Sequence, residues 1–128
     1  MADNGVSGAR LEWMRHGILL CRERLEQPYG LDRDEYEARE RLGHPVGLDA
    51  VEVAGLRREI ELREAALRGI ETGELTGAVL VMGRYMVRMA DLHIAWYGRE
   101  IGDGEFYAGA RAARAAMIEG LREVQRAG

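Results

Sequence analysis

Residues 75–98 read LTGAVLVMGRYMVRMADLHIAWYG, and the architecture follows from how that stretch must be covered. From Glu74 to Gly98 the charges are Glu74, Arg84, Arg88 and Asp91 alone. Leu75, Val79, Met82, Met86, Met89, His93 and Trp96 recur at alternating four and three spacing, which places them on one face of a helix. About 24 residues of helix span roughly 36 Å. Leu80, Val81, Tyr85, Val87, Leu92, Ile94 and Tyr97 fall off that stripe, so the helix is apolar nearly all round. Such a helix must be covered nearly all round, by other helices or by a second copy of the chain.

The flanking sequence supplies the cover. Leu11, Met14, Ile18, Cys21 and Leu25 predict a first helix over residues 8–27, stopped by Gln27-Pro28-Tyr29-Gly30. Leu31-Asp32-Arg33-Asp34-Glu35-Tyr36 and Leu48-Asp49-Ala50-Val51-Glu52-Val53 share one pattern. Each has Asp as cap, Glu three residues later, and an apolar residue five positions after the leading Leu, a capping box with a hydrophobic staple. Helix starts are therefore expected at Asp32 and Asp49. The former helix is short, ending near Leu42-Gly43. The latter runs to about Ile70, with Val53, Leu56, Ile60, Leu67 and Ile70 inward. Thr72-Gly73 supplies a cap and a breaker, so a hinge at 71–74 is preferred to one continuous helix through Gly69, Gly73 and Gly77. After a turn at 98–104, Asp103 is expected to cap a last helix over 104–126. Phe106, Ala110, Ala113, Met117, Leu121 and Val124 would face inward, with a smooth alanine flank.

The expected fold is all-α: a compact bundle of four main helices plus one short helix, packed around the central apolar helix at about 75–98. Residues 1–7 read as a flexible tail and 8–128 as a single helical domain.

Composition bounds the function. The 128 residues suffice for one core, and 31% charged with 47% hydrophobic residues is an ordinary globular balance. The net charge of −4 argues against a nucleic-acid coat or a polybasic membrane binder. The acidic excess sits in 31–73, with seven Arg against eleven acids. All 18 cationic residues are Arg. Lysine-free composition fits a GC-rich bacterial or phage genome and excludes Schiff-base chemistry on a lysine. The one cysteine, Cys21, rules out an internal disulfide and reads as a buried thiol, in keeping with a cytoplasmic protein. No signal peptide or membrane span is read.

Catalytic machinery is hard to assemble. The one Ser lies in the tail, no Glu-x-x-His or His-Glu-x-x-His pair occurs, and there is no phosphate loop. Asp103 and Glu105 remain as carboxylates, too little for an enzyme assignment. Tested as a helix-turn-helix, residues 34–60 give a recognition helix opening Asp49-Ala50-Val51-Glu52, unsuited to base contacts. Met82, Met86, Met89 and His93 offer soft ligands, as copper(I) or haem would use, but the same spacing is a core heptad and is read as core or interface. Arg84, Arg88 and Asp91 form a second face. Arg88 and Asp91 can pair, leaving Arg84 to find an acid elsewhere, in an inter-helix ion network or an anion or partner docking spot. Trp96-Tyr97-Gly98 resembles the WxG hairpin of type VII secretion substrates over those three residues alone. It lies late in the chain, and Tyr107 is followed at the family's acidic position by Arg111, so Trp96 is read as an anchor for the end of the central helix.

The expected function is a non-catalytic, self-associating interaction module, a dimer without cofactor, acting as adaptor, regulator or phage accessory factor. The alternative is a bundle holding a small anion or a soft metal.

Overall fold

The computed structural model describes residues 7–26, 33–43 and 48–127, with side chains of the short second helix described from residue 37 onward. It is an all-helical bundle: α1 (Gly8–Glu26), α2 (Arg33–Leu42), α3 (Ala50–Thr72), α4 (Gly77–Tyr97) and α5 (Asp103–Ala127). Among the described residues there is no strand. The expected tail up to residue 6, the stop at Gln27–Gly30 and the cap at Asp32 lie outside them.

α4 is the hub. It packs against α1, α3 and α5, and the remaining helix–helix contact is α1 with α3. Among the described residues α2 packs on none of the four long helices. Met82 and Met86 of α4 are 1% and 2% exposed, in a core with Met14, Ile18, Leu62, Ala66, Ala90, Ala113 and Met117. Of the four-three stripe, Met82 and Met86 are buried, Val79, Met89, His93 and Trp96 are half-buried, and Leu75 lies just before the helix begins.

Local chemistry fixes the element ends. Ser7 starts α1, its hydroxyl accepting from the Arg10 N–H at 3.3 Å. Asp49 caps α3 as expected, its carboxylate accepting from the Glu52 N–H at 2.7 Å. The hinge is real: α3 stops at Thr72, and Gly73 is left-handed at φ 81° with its N–H on the Gly69 carbonyl at 2.7 Å. Gly69 is required there, because a Cβ would stand 2.7 Å from the Glu74 carbonyl and from Leu75.

Three expectations change. α3 buries Leu62 and Ala66 beside Ile60 and Ile70, whereas Val53, Leu56 and Leu67 are half-buried. Its buried arc is wide because it meets α1 and α4 together. Asp103 is the first residue of α5 instead of its cap, and its carboxylate accepts the Trp96 indole N–H at 2.8 Å. Of the expected alanine flank, Ala113 is buried and Ala110 half-buried, whereas Ala108, Ala112, Ala115 and Ala116 are exposed. Close packing of α5 on α4 comes from buried Ala113 and also from Gly109 against Leu92 and Gly120 against Val81, where a Cβ would stand 2.7 and 2.8 Å from those side chains.

Met86→Asp places an unpaired charge in this core and should cost about 3–5 kcal/mol, abolishing the cooperative melt followed by circular dichroism. Gly120→Val should lower the melting temperature without loss of helix content, because Val81 must move.

Candidate interaction face on the central helix

With α1, α3 and α5 in place, one side of α4 stays open. Arg84 and Arg88 lie on it, four residues apart and exposed. Neither has a carboxylate within ion-pair distance among the described residues. The expected Arg88–Asp91 pair does not form. Asp91 is taken by α1 instead: Arg10 Nε donates to Oδ1 at 2.7 Å and Nη2 to Oδ2 at 3.1 Å. This two-pronged geometry suits a guanidinium better than a neighbour on the same helix could offer. Of the expected inter-helix ion network, Asp91 alone is part.

The two arginines separate two grooves. One, of about 550 Å³, runs between the end of α3 and α4 over Ile70, Leu75, Leu80 and Val87. The other, about 540 Å³, runs between α4 and α5 over Val81, Ala113, Ala116, Met117 and Val124, with Glu123 at its edge. The central helix is thus uncovered on the side where the sequence places its arginines.

The methionine–histidine line divides in two. Met82 and Met86 are sealed in the core. Met89 and His93 are half-buried along a cavity of about 210 Å³ between α1 and α4, beside Trp13, His16 and Cys21. His93 Nδ1 lies 2.9 Å from the Met89 carbonyl, and its ring stacks on Trp13 at 4.5 Å. Among the described residues no group of three or more His, Cys, Asp or Glu is arranged to hold a metal ion. Trp96 stacks on Phe106 at 4.0 Å while bonding Asp103, and so closes the α4–α5 turn. Arg99 in that turn has φ 60°, left-handed for a side-chain-bearing residue.

Sequence reading missed a cluster built on Glu59. Arg63, one turn on, donates to Oε2 at 3.0 Å, and Arg114 of α5 reaches across to Oε1 at 2.9 Å. Both guanidiniums lie over the Tyr85 ring, at 5.5 and 5.8 Å. Cys21 Sγ donates to Glu59 Oε2 at 3.6 Å, so the thiol is half-buried beside a carboxylate, not sunk in an apolar face. Burial pushes the Glu59 carboxyl up, but the bonds and charges of Arg114 and Arg63 outweigh it and hold it below the usual range. The Cys21 thiol is raised, by burial first and then by the Glu59 charge, against the pull of Arg63. A thiol kept protonated is a poor nucleophile. The Glu59–Arg63 spacing of four was visible in the sequence; Arg114, 55 residues away, carried no signal.

Comparison with known families, with curated proteins and with solved structures finds no match to the chain.

Because the folded Glu59 carboxyl lies below its ordinary 4.5, its contribution is complete above that pH and is lost as the pH falls further. Glu59→Gln should therefore lower the unfolding free energy at pH 7 by about 1–3 kcal/mol. In urea melts the gap between variant and parent should close as the pH is taken below 4.5.

Proposed function

We propose that this chain is a non-catalytic helical interaction module that self-associates as a dimer through the open side of α4, acting as an adaptor, regulator or phage accessory factor in the cytoplasm. The observation that carries the reading is the pair Arg84 and Arg88, unpaired among the described residues and set between two apolar grooves. Arginine flanked by apolar surface is the composition of an interface core, where a weakly hydrated guanidinium can be desolvated against an acid. Among the described residues no helix is long and apolar enough to cross a membrane. The cytoplasmic placement rests on the single thiol without a disulfide partner.

The same two guanidiniums suit a small anion, which is the second reading. In that case sulfate or phosphate would raise the melting temperature at millimolar concentration, and Arg84→Ala with Arg88→Ala would remove the effect.

For the interaction reading, light scattering at micromolar concentration should give twice the 14.3 kDa of one chain. Arg84→Glu with Arg88→Glu should return the monomer while leaving the melting temperature within a few degrees, because neither side chain supports the core. A parent protein that is a monomer under those conditions ends the proposal.

A further inference from the structure

The groove between α4 and α5 carries both signs of charge. Arg84 and Arg88 stand on its α4 side and Glu123 on its α5 side. All three are exposed, and none is in an ion pair among the described residues. Between them the floor is apolar, made by Val81, Ala116, Met117 and Val124, with Gly120 adding no side chain.

The register of the two helices places these charges. Gly109 lies against Leu92 and Gly120 against Val81, so α5 runs antiparallel to α4. Arg84 is three residues beyond Val81 along α4, and Glu123 is three residues beyond Gly120 along α5. Because the helices run opposite ways, base and acid lie about 4.5 Å to either side of the Val81–Gly120 contact along the helix axis. They are thus offset by about 9 Å along that axis as well as by the width of the groove, and they do not pair within the chain.

An interface between identical copies needs a patch that complements itself. Two arginine ridges laid on one another would bring like charges together as water leaves. A two-fold axis through the Val81–Gly120 contact, at right angles to the line from Arg84 to Glu123, removes that conflict. It exchanges the two ends of the line, so each copy's arginines fall on the other's glutamate. The apolar floors then meet at the axis, where the exposed Ala116 is too small to hold them apart. Resting on the dimer reading above, we propose that the dimer forms through the α4–α5 groove, with Glu123 of each copy bonded to Arg84 and Arg88 of the other.

Two charge-reversed full-length variants test it. Arg84→Glu with Arg88→Glu sets acid against acid, and Glu123→Arg sets base against base. Each alone should keep the parent's helix content by circular dichroism and give at least a tenfold weaker dimer by sedimentation. Mixed in equal amounts, both contacts become complementary, and native mass spectrometry should find the heterodimer. An ion pair closed within one chain cannot give that rescue. If the ridge variant is a monomer while Glu123→Arg dimerises like the parent, Glu123 is not the partner acid and the proposal falls, with the dimer reading intact. If both variants are monomers and the mixture stays monomeric, the reciprocal pairing is wrong and the proposal falls likewise. A ridge variant that dimerises like the parent, or a monomeric parent, removes the dimer reading and this proposal together.

Discussion

The structure depends on a shortage of cover: an apolar helix must be shielded by three others. α4 gives its deepest residues, Met82, Met86 and Ala90, to a core that also draws on α1, α3 and α5. Burying each of the two methionines contributes about 1.5–3 kcal/mol relative to leaving it in water. That contribution exists only while all three neighbours are seated. α1 and α3 support one another, through contacts along their lengths and the Arg22–Glu64 pair at 2.6 Å. α5 leans on α4 and reaches α3 with Arg114. No long helix is left for the fourth side, and the charges of α4 emerge there.

Close approach makes so small a bundle tight. Gly69 lets the hinge fold back onto α3, and Gly109 and Gly120 let Leu92 and Val81 press into the backbone of α5. These contacts set the separation of α4 and α5, and so the width of the groove that Val81 and Gly120 share. The groove beside the ridge is thus shaped by the glycines that hold the core together.

Much of the fold was legible in the sequence because it is written in local patterns. The Asp49 cap, the hinge at Thr72-Gly73, the inward faces of α1 and α5 and the four-three stripe of α4 each follow from residues within two or three turns of one another. What failed was long-range. Asp91 has a plausible partner in Arg88 one turn away, yet Arg10 wins it from 81 residues off, by geometry that no spacing encodes. Asp103 looks like a cap until the Trp96 indole is seen to claim it. Glu59 looks like a solvated helix charge until Arg114 arrives from α5. The open side of α4 was half legible: its need for cover was plain, but not that three helices would stop at the arginines.

The chain uses Arg for every cation, so the identity of Arg84 and Arg88 says nothing by itself; their placement carries the argument. Arg114 is consumed by Glu59, Arg10 by Asp91 and Arg22 by Glu64, each closing a helix–helix contact within the monomer, and Arg63 is held by Glu59 within α3. Arg84 and Arg88 close none among the described residues. An exposed, solvated guanidinium neither stabilises nor strains the folded chain, so the monomer is indifferent to them. An interface is not: removing water from apolar grooves on either side would leave the two charges poorly solvated unless acids came with the occupant. The grooves set how much apolar surface a partner must bring, and the ridge sets the sign of the charge that must accompany it.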